Sequence, residues 1–449
     1  MPQTTTMTQG KPLELIIRFA IPLMLGNVFL QFAIMMEGSI VGRVLGVDGV
    51  AAMGATGGLF SVLRNFTQGL SIGLPVIAAQ RHGAGESHRV HRSITSGIYI
   101  LLLSWLVVVA VLLPLWRPIL VAVNTPAQVM DDAWIYLMLS TVGLGATLFH
   151  YFFLNVLRAV GESRIPLAFQ VLAAGLDILL AWVFVGKLGL GVAGVPLAQT
   201  GAQLLGTLLF LLYVGVVRRA PVLQIQKEDW RITRDDFREH LGSGIASGLM
   251  FSVAPCGGII IQPALNSFGA VVVAGYTAAG QFTGMFMQAQ MAIGQAISTY
   301  VAQNHGAGAY GRIRTGVRQT AVAGLAFTGV LAVLGVLASD PLTRFYMGSV
   351  TPELLGYART NMIVTVSGLP FLLFIFLYRQ SLQALNSRVL PIFASAMEPL
   401  ARTIAVLFLI PRWGYTALCL SLVLAWMMTL TPLALGYRAL ITRLERGTL

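Results

Sequence analysis

Charge is the first thing this sequence lacks. Only 10% of its 449 residues are Asp, Glu, Lys or Arg, while 56% are hydrophobic. A soluble protein carries about a quarter charged residues, so a chain this long and this apolar cannot cover a surface that faces water. A lipid bilayer is the solvent that suits it. Lysine is nearly missing as well: of 29 basic residues only Lys11, Lys187 and Lys227 are lysines. The arginines are scattered through short polar gaps and form no basic domain. The net charge of +12 therefore reads as membrane orientation and argues against a nucleic-acid partner. Cysteine is scarce too. Cys256 and Cys419 both lie in apolar stretches, too few for a disulfide framework or a metal centre. No GxxxxGK[ST] loop, HExxH helix or Ser/His/Asp set occurs, which argues against a nucleotide-driven pump and against an enzyme; no cofactor is expected. The first apolar run is too long for a cleavable signal peptide and lacks its small-residue cleavage site.

What the chain does have is a succession of apolar stretches, each near the ~20 residues needed to cross a bilayer as a helix. They lie near 14–41, 50–79, 93–116, 133–157, 166–186 and 191–216, then near 242–268, 273–301, 315–339, 354–378, 390–410 and 414–437. The expected fold is an all-α membrane protein of about twelve transmembrane helices in two pseudo-symmetric six-helix lobes. The one extended polar segment, Arg218 to His240, divides them. It gives an N-terminal lobe over 1–217, a linker over 218–240 that includes Arg218 and Arg219, and a C-terminal lobe over 241–449. Alternate gaps between helices hold 21 basic residues, Arg379 between the tenth and eleventh helices among them, against six in the others. By the positive-inside rule both termini and the linker are cytoplasmic. The expected location is the bacterial inner (plasma) membrane, with the lipid bilayer itself as a partner.

The halves repeat. Ala79-Gln80-Arg81-His82-Gly83-Ala84-Gly85 matches Ala302-Gln303-Asn304-His305-Gly306-Ala307-Gly308 at an offset of 223, which also places Arg89 on Arg312. Leu157 to Pro166 matches Leu382 to Pro391 at an offset of 225. Repeats separated by six helices have the same orientation. Parallel repeats of this kind imply two lobes around a central pathway, a common transporter architecture.

Five segments in order carry a resemblance. They are Val41 to Gly46 (VGRVLG), Ala79 to Gly85 (AQRHGAG), Leu157 to Pro166 (LRAVGESRIP), Gly189 to Gly194 (GLGVAG) and Ala302 to Gly308 (AQNHGAG). Through them nearly the whole chain resembles the multidrug and toxic compound extrusion (MATE) family. The resemblance implies secondary active efflux of small-molecule drugs or metabolites, amphiphilic or cationic, by alternating access. The coupling ion would be H+, with Na+ as the alternative, and the unit a monomer. A second reading within transport is a flippase for a lipid-linked saccharide, which shares the repeated two-lobed design.

Charges inside hydrocarbon are costly and mark functional candidates. Five stand out: Glu37, Arg64, Asp177, Glu398 and Arg402. Asp177 lies 11 residues beyond Pro166, about 16 Å along its helix and near mid-bilayer. The resemblance makes this acid part of an ion-coupling site in an Asn-x-x-Leu-Asp pattern, with Ala173 here in place of the Asn. It gives Glu37 the same role, with Glu where the family usually has Asp; the plainer reading of Glu37 is a wetted acid at the outer interface. Arg64 has no counterpart in the resemblance. A buried arginine calls for a carboxylate, so it is expected to neutralise one of the two acids and leave the other free to bind an ion. Glu398 and Arg402, spaced i, i+4, read as an internal structural pair summing to zero. Ser252-Val253-Ala254-Pro255-Cys256-Gly257, early in helix 7, lacks the acid that relatives coupling ions in the second lobe carry, which puts coupling in the first. His150 could relay protons, though such a residue more often packs. Gln281, Met285 and Gln288 on helix 8, together with His150, are candidate substrate-lining residues, since adaptable methionines suit polyspecific pockets.

Overall fold

The computed structural model describes residues 6–123, 125, 127–218, 220–347 and 350–446. Arg219 of the expected linker and the side chain of Ala254 lie outside the described residues. Among the described residues there are twelve long helices and no strand. They are α1 (Pro12–Val44), α2 (Gly46–Gly83), α3 (Ser87–Ala122), α4 (Met130–Ala159), α5 (Arg164–Ala181) and α6 (Gly194–Leu211), then α7 (Arg234–Ser267), α8 (Ala270–Gly306), α9 (Tyr310–Met347), α10 (Pro352–Ala384), α11 (Val389–Ile404) and α12 (Ile410–Glu445). Ten continuous segments are long and apolar enough to cross a membrane, the last of them, Val389–Glu445, containing both α11 and α12. The backbone breaks near the start of α12 at Gly414, where φ is 59°. The twelve-helix, all-α expectation is met.

The helices outrun the apolar stretches that announced them. α1 has 33 residues and α9 has 38, about 50 and 57 Å at 1.5 Å per residue, against a hydrocarbon core of about 30 Å. Their polar ends keep the helical hydrogen-bond pattern beyond the apolar stretch, which hydropathy alone does not register. α5, α6 and α11 each continue into a short π-helical stretch, at Trp182–Lys187, Leu212–Val217 and Ala405–Leu409.

The repeat is visible in the backbone. Gly85 and Gly308 both take positive φ, 77° and 69°, a conformation that costs glycine nothing. Around them Ala84 N donates to Gln80 O, and Ala307 N to Gln303 O. At the second repeat Gly161 (φ 88°) corresponds to Asn386 (φ 62°). There Gly161 N donates to Arg158 O and Asn386 N to Gln383 O.

The compact units do not follow boundaries at 217 and 241. One holds Phe29–Ser252; the other holds Met7–Val28 together with Val253 onward. The start of α7 thus belongs with α2, and the start of α1 with α8. The reasons are local. In the first unit Ser243 Oγ donates to Gly73 O at 2.9 Å, and a Cβ on Gly69 would lie 2.5 Å from the Ser247 carbonyl. Small residues let two backbones approach, as in other membrane helix pairs. Below this contact Arg81 pairs with Asp236 at 2.7 Å and Glu239 at 3.0 Å. In the second unit Met7 N donates to Gln303 Oε1 at 2.8 Å and Asn304 Nδ2 to Met7 O at 3.1 Å. Arg312 Nη2 reaches Gly10 O at 3.0 Å.

The linker is ordered against α3. Asp229 is 1% exposed, and Thr95 Oγ1 donates to its carbonyl at 2.6 Å. His88 Nδ1 lies 3.0 Å from its Oδ1 and His91 Nδ1 3.5 Å from its Oδ2. Trp230 packs edge-on to Tyr99 with centroids 5.8 Å apart.

The α2–α7 approach leaves no room for a side chain at Gly73, where a new Cβ would overlap Ser247, whereas Gly329 on α9 meets nothing within 4 Å. Gly73→Ala should lower the thermal midpoint in detergent by several degrees, and Gly329→Ala should leave it unchanged. Equal midpoints would show that the approach is not close.

Candidate functional site

In the first unit the charged candidates converge from separate helices. Glu37 of α1 is 5% exposed, so it is a buried group and not a wetted interfacial one. Its carboxylate accepts from Gln199 Nε2 of α6 at both oxygens, 3.1 and 3.0 Å. Gln199 was not singled out by the sequence. The signal that could have found it is an amide within an otherwise apolar run. Asp177 on α5 is half-buried, its Oδ1 is buried without a hydrogen-bond partner, and the charge of Glu37 acts on it directly. Ala173, one turn earlier, is buried and supplies no donor.

Arg64 on α2 behaves otherwise than expected. Its side chain is exposed and closes no ion pair with a described residue, yet its charge acts on Glu37 and on Tyr136 and Tyr151 of α4. Its influence is through space. His150 on α4 is 2% exposed, with Nδ1 3.2 Å from Thr207 Oγ1 on α6, and a Cβ on Gly206 would lie 3.1 Å from its ring. These are the contacts of a packed histidine.

In the second unit Arg402 Nη2 lies 3.4 Å from Glu398 Oε1, the two side chains 8% and 14% exposed. The charge of Arg402 also acts on Tyr276 of α8, and its side chain lies against Gly257 of α7, where a Cβ would come within 2.7 Å of its Cδ. The pair is not alone. Arg379, read from the sequence as a loop residue, belongs to α10 and lies within the field of Glu398. The pair itself still sums to zero, and the field of Glu398 reaches a second arginine. The misreading has a simple cause: Arg379 lies five residues before the end of α10, beyond the apolar run but still inside the helix. On α8, Gln281, Met285 and Gln288 are half-buried, and Gln290 is fully buried, donating to Thr328 Oγ1 at 3.0 Å and Leu369 O at 3.2 Å. No group of His, Cys, Asp and Glu among the described residues is placed to hold a metal ion.

The first unit thus sets one buried acid on α1 and one half-buried acid on α5 inside a bundle of repeated helices. A family model described as MatE matches residues 22–183 and 246–404, one match in each half. The chain belongs to the MatE family. Members of this family are membrane transporters, and this MatE chain is a transporter and not an enzyme. It is similar to the probable multidrug resistance protein YpnP of Bacillus subtilis, 28% identical over 67% of each chain. It is also similar to the probable multidrug resistance protein NorM of Agrobacterium fabrum, 26% identical over 89% of this chain and 83% of that one. Among solved structures, a crystal structure of a MATE in complex with MaL6 covers 99% of this chain and 100% of its own at a TM-score of 0.92, with 18% identity. An outward-facing multidrug resistance MATE transporter superposes with a TM-score of 0.91 over 99% of each chain, again at 18% identity. Likeness at that identity establishes the fold.

The extra arginine changes what substitutions should do. Glu398→Leu leaves Arg379 and Arg402 without an acid, and an uncompensated buried charge costs about 3–5 kcal/mol. Arg402→Met leaves Glu398 still facing Arg379. Glu398→Leu should therefore lower the thermal midpoint in detergent more than Arg402→Met, and combining the two should not restore wild-type stability. Full recovery in the double variant would show that Glu398 and Arg402 form a closed pair.

Proposed function

We propose that this chain exports small amphiphilic or cationic organic molecules, drugs or metabolites, by antiport against protons or sodium ions. It works as a monomer in the bacterial inner membrane, its two lobes alternating access and both termini in the cytoplasm. Membership of the MatE family supports the reading, as do relatives whose names are probable multidrug resistance proteins. The observation that carries the coupling is Glu37 and Asp177 sharing one apolar interior. Two such carboxylates repel each other, and a proton or cation bound there relieves the repulsion. Gln199 orients Glu37 and leaves Asp177, whose Oδ1 has no partner, as the acceptor of the ion. Arg64 acts on Glu37 at a distance and biases the site against holding two cations at once. Substrate contacts are assigned to Gln281, Met285 and Gln288 of α8.

The flippase reading draws on one observation, the excess of arginine around Glu398, which would suit a pyrophosphate-linked substrate. Export of an organic cation distinguishes the two.

In proteoliposomes, a pH gradient or a sodium gradient imposed separately should drive efflux of a fluorescent organic cation, and the gradient that does so identifies the ion. Asp177→Asn should abolish driven efflux with the protein still folded. Glu37→Gln should weaken it at least tenfold, and Glu37→Asp should be tolerated. Undiminished efflux in both neutral variants would remove the coupling site from the first unit.

Single cysteines at Ser87 and Gln226, introduced into a chain with Cys256 and Cys419 replaced by serine, should label from the cytoplasmic side. One at Ala127 should label from outside. Labelling of Ser87 in intact cells by an impermeant reagent would reverse the orientation.

A further inference from the structure

The second unit carries a groove outside the charged cluster around Glu398. It lies between the first turns of α1 and α9, as two adjoining hollows of about 650 and about 540 Å³ that share Leu13 and Gln319. Four cations line it: Lys11 just before α1, Arg18 from α1, and Arg314 and Arg318 from α9. Glu14 lies in the same lining, and Glu445 holds Arg314 at 3.0 Å. Lys11, Arg18 and Arg318 have no ion-pair partner among the described residues. Beside these charges the lining is apolar, with Ile17 and Ile21 on α1 42% and 47% exposed, and Val322 on α9 66% exposed.

The other half of the repeat says what kind of molecule belongs there. At the offset of 223, His91 corresponds to Arg314, Thr95 to Arg318 and Tyr99 to Val322. In the first unit all three are covered by the linker. Thr95 and His91 meet Asp229, and Tyr99 meets Trp230. An acid followed by a large apolar group thus lies along this face of α3. In the second unit Glu445 of α12 meets Arg314 on the equivalent face of α9, but Arg318 and Val322 stay exposed, and arginine stands where histidine and threonine suffice for the tethered carboxylate. An untethered anion needs more charge to be held than one delivered by the chain itself, because its binding must also offset lost translational freedom.

Arg18 lies six residues into α1 and Arg318 eight into α9, about 9 and 12 Å from the helix starts. On helices of about 50 and 57 Å that depth is the headgroup zone of a bilayer, with Ile21 and Val322 next in the direction of the hydrocarbon. We propose that the groove between α1 and α9 binds an anionic phospholipid, its phosphate among Lys11, Arg18 and Arg318 and its acyl chains along Ile17, Ile21 and Val322. Basic pockets between transmembrane helices at the cytoplasmic side recognise anionic headgroups by this combination of charge and apolar surface.

The test uses the full chain in mild detergent, incubated with dioleoyl-phosphatidylglycerol or dioleoyl-phosphatidylcholine and read by native mass spectrometry. Wild type should retain the anionic lipid at least tenfold better than the zwitterionic one. Arg18→Gln with Arg318→Gln, both exposed, should lose that preference by about tenfold or more with the thermal midpoint unchanged. Arg234→Gln with Arg238→Gln removes two charges from α7 outside the groove and should keep it. Inorganic phosphate at the same concentration should not displace the lipid. The proposal is overturned if wild type shows no preference, if the groove variant keeps it, if the α7 variant loses it equally, or if inorganic phosphate competes. The last outcome would assign the groove to a free anion.

Discussion

Hydrocarbon offers no hydrogen-bond partner, and the rest of this structure depends on that. Backbone groups crossing a bilayer must bond within their own segment, which leaves helices as the means of spanning for a chain of this pattern. The same rule applies to polar side chains, and most have found partners inside. Gln199 is spent on Glu37, Thr207 on His150, and Gln290 on Thr328 and Leu369. Against that background the exceptions gain meaning. Asp177 keeps a buried oxygen with no partner, and Arg379 and Arg402 each keep a buried Nε with none. A polar atom left unsatisfied in hydrocarbon costs stability.

The two units share a trace and differ in charge. Turn for turn, the hydrogen bonds around Gly85 recur around Gly308, and those at Gly161 recur at Asn386. Into these matched frames the first unit sets two acids, Glu37 and Asp177, with one arginine acting from a distance. The second pairs one acid, Glu398, with Arg402, and the same acid acts on Arg379. Duplication supplies the scaffold, and the buried charges give each copy its own chemistry. The exchange of helix starts between units follows from the same economy of contacts. Arg81 with Asp236 in one, and Met7 with Gln303 and Asn304 in the other, tie each unit to the beginning of the other half's first helix.

Much of this was legible in one dimension. Apolar runs of spanning length give the helix count, because hydropathy is additive along the chain. The repeated AQxHGAG turns give the duplication, because a positive φ requires glycine at one point in each copy. Asp177 and Glu398 announce themselves as acids where acids are expensive. Glu37 was legible as an acid but not as a buried one, since its depth depends on α6 packing over it through Gln199, 162 residues away. Arg379 read as a loop residue because a helix end outside the apolar run looks like a loop in composition.

The sequence by itself determined the class of protein, the number of spanning segments, the duplicated plan and which helices carry charge, since each is a property of a local stretch in a given solvent. Tertiary structure alone decided which charges face one another. It set Glu37 against Gln199 with its charge acting on Asp177, left Arg64 without an ion pair among the described residues, and put Arg379 in the field of Glu398. It also joined the start of α1 to α8 and α9, leaving a basic groove where the other half holds its own linker. Electrostatic interaction depends on distance and on the dielectric between groups, and neither exists until distant segments have packed.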